Sequence, residues 1–211
     1  EHPRILFRKS QVSAIRRRAQ TPEGKAIVAR LRKLLGHDGE KLPTVFNTTA
    51  PHNHNKSPDK QPLGTFTSFH APGYAMLYQL TGDKKYADLG RQAFEKGLQG
   101  VRDRDDRYSF VDPGGALRAG PVLGWYAVGY DLCYDGWDAA TRERFGRAIA
   151  EYAEALEQSG GPVIKWGFGL ADPVSSHLGC RQGAAEMAVR PVERTGLKMK
   201  LTQHLIQTRC L

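Results

Sequence analysis

The sequence is poor in cysteine and lacks any long hydrophobic run. Its three cysteines, Cys133, Cys180 and Cys210, are an odd number and contain no C-x-x-C pair. This pattern argues against a disulfide framework and a thiolate zinc site, and it predicts unpaired thiols. The longest apolar stretch, around 121–133, is interrupted by Gly, Tyr and Asp, so it falls short of the roughly 18 apolar residues of a membrane span. We therefore expect a chain that folds in water and has no membrane partner.

The chain also lacks the biased composition of disordered, collagen-like or miniature stapled proteins. Of its 211 residues, 40% are hydrophobic and 25% are charged, which is typical of globular domains. Because the buried fraction of the surface rises with length, a chain of this size can form a sizeable core. The composition therefore predicts an ordinary globular protein.

The formal net charge of +9 is not spread over the whole chain. Residues 1–36 carry a net charge of +8, residues 37–189 carry −3 and residues 190–211 carry +4. Part of the first excess is the Arg-Arg-Arg run at 16–18, which is typical of the solvated side of a helix. Since no zinc-finger, helix-turn-helix or RNA-recognition signature accompanies these charges, we expect no nucleic-acid partner.

The first residue of the sequence is Glu1 rather than Met. Such a start fits a cleaved export signal and a trimmed N-terminus equally well. On the first of these interpretations the protein is secreted or periplasmic.

Apolar residues recur at helical spacing through the first part of the chain. The Thr-Pro-Glu sequence at 21–23 is typical of a helix start, apolar positions at 27–35 share one face, and Gly36 ends the helix. A shorter helix is predicted to follow Ser10. Residues 37–64 are rich in Pro, His and Asn without a period, which predicts a long loop.

Two helical hairpins are predicted next. In the first, an apolar helix from Phe69 is followed by a turn at 81–83 and a helix to about Leu98. In the second, an apolar stretch at about 117–133 is followed by a helix that begins at Asp138. The first helix of each pair is apolar nearly all round and the second has one apolar stripe, as expected of an inner helix shielded by an outer one.

A third inner helix is predicted at 174–188, after the aromatic, Gly-rich loop 166–169. The pattern fails after Pro191, where the composition becomes basic and only weakly periodic. The sequence therefore predicts an all-α domain over residues 1–189, followed by a truncated or divergent basic tail at 190–211.

The residues that open the inner helices are candidates for a binding site. If the hairpins stack side by side, their inner helices are parallel, and His70, Arg118 and His177 gather at one end. Parallel helix starts favour an anion, since each contributes roughly 0.3–1 kcal/mol at an exposed site. The preceding loops bring further candidates to the same end: His54, Tyr108 and Trp166.

Several of these residues also have a structural interpretation. A single His at a helix start is commonly a hydrogen-bonding residue of the core, and Arg118 could pair with Asp112 across the turn. Trp125 on the second inner helix is typical of a core residue. The pair His52 and His54 has no third ligand at a suitable spacing, so we expect neither a metal nor another cofactor.

Three stretches resemble the heparinase II/III-type and alginate-lyase-type polysaccharide lyases: HPRILF at 2–7, YAMLYQLTGD at 74–83 and SSHLG at 175–179. The likeness covers about residues 2–188. It implies an incomplete (α/α) toroid, normally followed by an antiparallel β-sandwich, with an acidic, uronate-containing polysaccharide held in the cleft between them.

The resemblance also implies a chemistry and roles for residues. In such enzymes an Asn, often followed by His, neutralises the uronate carboxylate, and a Tyr helped by His carries the proton in β-elimination. The Asn-His step falls on Ser176 and His177 here. His177 is then the catalytic candidate. The substrate-binding candidates are Ser176, Arg118, His70, Trp166, Tyr108 and His54.

The sequence ends 34 residues after His177, before the position where the family's catalytic Tyr and sandwich are expected. We therefore expect the toroid part of a lyase-like protein, without turnover by this chain alone. Two alternatives stay open. A non-catalytic helical-repeat binding module would bury His70 and His177 in packing. A glycoside hydrolase on a related (α/α) barrel would need two carboxylates about 5–10 Å apart, for which Asp112 and Asp172 are the candidates.

Overall fold

The computed structural model describes residues 1–46, 64–111 and 116–158. Within these ranges it contains α-helices and no strand, which confirms the all-α class predicted from the sequence. The helices are α1 (Val12–Ala19), α2 (Pro22–Leu35), α3 (His70–Thr81), α4 (Lys84–Leu98), α5 (Ala116–Cys133) and α6 (Ala139–Gln158). The third predicted inner helix, the loop before it and the basic tail lie outside the described residues.

Short-range signals fix several helix ends. The Thr21 side chain accepts a hydrogen bond from the Gly24 N–H (3.1 Å) at the start of α2, and Asp83 accepts one from the Lys85 N–H (3.0 Å) at the start of α4. Gly82 ends α3 with φ of 79°, a left-handed conformation that glycine adopts without a steric penalty. The Thr81 hydroxyl accepts from the Asp83 N–H (3.2 Å), so positions 81–83 together set the turn between α3 and α4, as the sequence predicted.

The helices α3 and α5 run in the same direction. Near their starts, the Ser68 N–H just before α3 donates to Asp103 in the loop that leads to α5 (2.7 Å). Near their ends, the Gln79 side chain of α3 donates to the carbonyl of Leu132 in α5. The helix α6 is antiparallel to α5, since the Tyr152 hydroxyl near the end of α6 donates to the Ala119 carbonyl near the start of α5 (3.3 Å).

Burial differs sharply between the two members of the first hairpin. Nine of the twelve residues of α3 are buried, on all sides of the helix. In α4 the buried residues form one face, while Asp88, Arg91 and Glu95 form ion pairs on the other. This difference matches the sequence pattern of an apolar first helix and an amphipathic second one.

An aromatic cluster forms the centre of the core between α4, α5 and α6. The Phe94 ring stacks on Phe145 (4.2 Å between centroids) and meets Tyr126 edge to face (4.7 Å). Gly97 of α4 faces the Tyr126 ring so closely that a Cβ at this position would overlap the side chain. The two helices can therefore approach each other only because residue 97 has no side chain.

Residues 2–5 are anchored to the far end of α5. The Nδ1 atom of His2 lies 2.6 Å from one carboxylate oxygen of buried Asp131. The other oxygen accepts hydrogen bonds from the Arg4 and Ile5 N–H groups (2.8 and 2.9 Å), and the His2 ring stacks on Tyr134 at 3.8 Å. One carboxylate therefore holds this N-terminal segment against the helical body.

No helix within the described ranges combines the length and the apolar character that crossing a bilayer requires.

Candidate functional site

Loop 101–111 contacts the start of α3 and the start of α5 at one end of the molecule, where α5 extends beyond α3, since the start of α3 packs against Gly129. We call this end the rim, and define it by residues 65–70, loop 101–111 and Arg118. The hydrogen bond from Ser68 to Asp103 connects the first two parts, and Arg118 acts electrostatically on Asp105. Of the predicted site residues, the structure thus brings His70, Tyr108 and Arg118 to one end.

Loop 101–111 is held in a fixed shape by its own backbone. The Asp103 N–H donates to the Tyr108 carbonyl and the Tyr108 N–H donates to the Asp105 carbonyl, both at 2.9 Å. The Asp105 N–H donates to the Asp103 side chain (2.9 Å), and Arg102 donates to the Asp106 carbonyl (3.2 Å). The loop therefore presents its side chains from an organised backbone, which lowers the entropy cost of binding.

Asp103 is the buried acid that joins this loop to α3. One carboxylate oxygen accepts from Ser68 and the other from Asp105. Burial raises the pKa of Asp103 to about 6, although the two backbone donors act in the opposite direction. Desolvation therefore outweighs hydrogen bonding at this carboxylate.

The cations of the rim are partly neutralised by neighbouring acids. Arg107 forms an ion pair with Asp105 through two nitrogens, and this partner lowers the pKa of the Asp105 carboxyl. Arg118 acts on the same carboxyl in the same direction, but more weakly. The Arg118 side chain is half-buried at the start of α5, where a guanidinium and a helix start both favour an anion.

His70 connects three elements from a buried position. Its Nδ1 accepts from the Thr67 N–H (2.9 Å) and its Nε2 faces the Leu35 carbonyl (3.0 Å), so the ring holds the end of α2 against the start of α3. Burial lowers the pKa of His70, which fits a neutral ring with its proton on Nε2. In this conformation neither nitrogen is open to a ligand, and the structure gives His70 a structural role.

Tyr108 and Trp125 form an aromatic pair between loop 101–111 and α5. Their ring centroids are 5.4 Å apart at an interplanar angle of 42°. Both side chains are half-buried and pack against the hydrophobic core, which agrees with the core position that the sequence pattern predicted for Trp125.

Four predicted site residues lie outside the described residues: His54, Trp166, Ser176 and His177. The structure therefore does not test whether they reach the rim, and the same holds for Asp112 and Asp172. Among residues 1–46, 64–111 and 116–158, no three His, Cys, Asp or Glu side chains are grouped to hold a metal ion.

Sequence reasoning missed Asp103 and Trp125 as parts of this end of the molecule. The alternating run RDRDDR at 102–107, immediately before an apolar helix, is the signal that could have indicated a charged, self-paired loop. For Trp125 no comparable signal exists, because its exposure depends on which neighbours cover α5.

Comparison of the sequence with protein-family models gives no match, and comparison with curated proteins gives no significant match either.

Proposed function

We propose that this chain is the toroid part of a polysaccharide lyase-like protein and that its rim binds an acidic, uronate-containing glycan. In this proposal α3 and α5 are inner helices of an incomplete (α/α) toroid, and α4 and α6 are outer helices. The parallel course of α3 and α5 supports this arrangement. A second support is that α3 is buried on all sides, whereas α4 buries only one face.

One observation carries the proposal: a guanidinium near the start of α5 lies against loop 101–111, and an aromatic pair joins this loop to the same helix. Arg118 offers charge-assisted hydrogen bonds to a carboxylate. Tyr108 and Trp125, whose ring centroids are 5.4 Å apart, offer apolar ring surface further along the same helix. Binding sites for polar ligands commonly combine such apolar surface with a few placed charges.

The chemistry that this arrangement can perform is charge neutralisation of a uronate. Neutralising the carboxylate acidifies the proton on the adjacent carbon, which is the electrostatic half of a β-elimination. In this proposal His177 transfers the proton, together with groups of a complete protein. A secreted or periplasmic location would bring such a protein into contact with this class of polymer.

A second candidate function is a non-catalytic helical-repeat binding module. The burial of His70, with both nitrogens used inside the protein, favours this alternative at that residue. Such a module would bind without regard to uronate content, and it would generate no unsaturated product.

Binding is tested by calorimetric titration of the whole chain with oligosaccharides of alginate or heparin, and with a neutral oligosaccharide of similar length. We expect binding of the acidic chains only, weakening as salt screens the charges. Arg118→Ala should weaken it by about tenfold or more, whereas Arg147→Ala, an exposed arginine of α6, should leave it unchanged.

Equal affinities of wild type and Arg118→Ala for the acidic oligosaccharide would show that the rim does not form the binding site. For the complete protein, ultraviolet absorbance of an unsaturated uronate product distinguishes a lyase from a hydrolase, which releases reducing ends without that absorbance.

A further inference from the structure

We propose that Asp105 is the internal counter-ion of the rim, and that its carboxylate occupies the Arg107 guanidinium in the place of a glycan carboxylate. A uronate has to displace this carboxylate before it can use Arg107, so Asp105 limits the affinity of the site. The role of Asp105 rests on the proposed function and describes how the same site is regulated.

The Asp105 carboxylate holds residue 107 at three points. The Arg107 Nε donates to one carboxylate oxygen (2.7 Å), and the Nη2 atom donates to the other. The Arg107 backbone N–H donates to the first oxygen (3.2 Å). Two parallel hydrogen bonds between a guanidinium and a carboxylate are also the geometry by which arginine binds a carboxylate ligand. Asp105 therefore makes, within one loop, the contact that a uronate would make.

The pair is better shielded from water than an ordinary surface ion pair. The Asp105 and Arg107 side chains are 10% and 30% exposed, whereas Glu143 and Arg147, which form an ion pair on α6, are 70% and 66% exposed. Less water around two charges leaves their attraction stronger. Because the two residues belong to the same short loop, the carboxylate also acts at a high effective concentration. A free carboxylate therefore competes at a disadvantage for Arg107.

One acid also counteracts the second cation of the site. Arg118 acts on the same Asp105 carboxyl, and Arg107 and Arg118 both lower its pKa. Arg102 is buried and donates to the Asp106 carbonyl (3.2 Å), so it is used within the loop. The run at 102–107 contains three arginines and three aspartates. In its present form this run carries no excess positive charge, and loss of the charge on Asp105 would leave it with one.

The loop keeps its shape without the charge of Asp105. The backbone hydrogen bonds from Asp103 to Tyr108 and from Tyr108 to Asp105 do not involve the Asp105 side chain. The Asp103 carboxylate accepts the Asp105 N–H (2.9 Å) and joins the loop to Ser68. An asparagine at position 105 retains an oxygen that can accept the Arg107 N–H. Asp105→Asn therefore removes the counter-ion and keeps the loop.

The experiment is a calorimetric titration of the whole chain with an oligosaccharide of alginate. Asp105→Asn should bind it about three- to tenfold more tightly than wild type, because Arg107 becomes available to the ligand. Glu143→Gln is the matched control. It makes the same change in net charge and also releases an arginine, Arg147, but near the start of α6, away from the rim. Its affinity should equal that of wild type.

A double variant identifies the cation that Asp105 occupies. When Arg107→Ala is added to Asp105→Asn, the gain should disappear and the affinity should return to within about twofold of wild type. If Asp105→Asn fails to fold, Asp105→Ser takes its place, since a serine hydroxyl can accept the same N–H.

The possible results separate the counter-ion from the proposed function. If wild type binds the oligosaccharide and Asp105→Asn binds no more tightly, Asp105 is not a counter-ion and the proposed function stands. A gain of equal size in Glu143→Gln, or one that survives the loss of Arg107, would overturn the counter-ion in the same way. Binding by Asp105→Asn alone would support both. Absence of binding by wild type and by Asp105→Asn would overturn the proposed function itself.

Discussion

At the scale of single residues, Asp103 shows that burial can outweigh hydrogen bonding. Its carboxylate accepts one backbone N–H on each oxygen, yet its pKa rises from 3.8 to about 6. The charged form is therefore less favourable in the folded protein than in the unfolded chain. The contacts hold loop 101–111 in place, and the charge costs stability.

This imbalance predicts a pH dependence of stability. Between pH 4 and pH 6 the folded state retains a proton that the unfolded state has released, so this group's contribution falls as pH rises through that window. We expect the loss to be on the order of 2 kcal/mol. Urea unfolding of wild type and Asp103→Asn at several pH values measures it, because the variant lacks the titration.

Asn at position 103 keeps one acceptor oxygen, so a constant loss of stability in the variant is compatible with this account. Identical pH profiles of wild type and variant between pH 4 and pH 6 would contradict it.

At the scale of elements, much of the fold follows from local sequence. The caps at Thr21 and Asp83 and the apolar and amphipathic alternation of the hairpin helices all act over a few residues, and the structure contains the helices predicted within residues 1–46, 64–111 and 116–158. Burial of individual residues is less predictable. Of the apolar positions of α2, Ile27 and Leu34 are exposed (65% and 67%) and only Leu35 is fully buried, because α2 meets the rest of the protein along a narrow strip.

The close approach of α4 and α5 predicts opposite effects of alanine at two glycines. Gly97→Ala would overlap Tyr126 and should lower the free energy of unfolding by about 1–3 kcal/mol. Gly124→Ala meets none of the described residues within 4 Å, so the gain in helix propensity should raise the free energy of unfolding by roughly 0.5–1 kcal/mol. Chemical denaturation of both variants beside wild type measures the difference.

Equal destabilisation by the two substitutions would show that Gly124 is covered. A neutral Gly97→Ala would show that α4 and α5 can separate at no cost.

At the scale of the whole molecule, the contacts that organise the ends of the helices join distant parts of the sequence. His70 meets Leu35 across 35 residues, and His2 meets Asp131 across 129. Periodicity and capping patterns act locally and carry no information about such pairs. The sequence could therefore place His70 and Arg118 at helix starts, but it could not show that both ring nitrogens of His70 have hydrogen-bonding partners inside the protein.

The anchor at Asp131 predicts a large effect of a single carboxylate. Asp131→Ala removes the partner of the buried His2 ring and the acceptor of two partly buried N–H groups, which together should cost about 3 kcal/mol or more. Asp135→Ala removes an exposed partner of Lys9 on the neighbouring turn and serves as control. We expect its urea midpoint to equal that of wild type.

A loss of similar size in both variants would show that the N-terminal segment is held by the whole surface rather than by this one carboxylate. Hydrogen exchange of the Arg4 and Ile5 amides provides a local measurement, since both should lose protection in Asp131→Ala only.

The anchor also sets an order of events during synthesis. The ribosome makes residues 2–5 before their acceptor, which follows more than a hundred residues later. Contacts of such high sequence separation form late, since the intervening chain must be ordered first. Residues 2–5 of the nascent polypeptide therefore stay without this anchor until α5 has emerged.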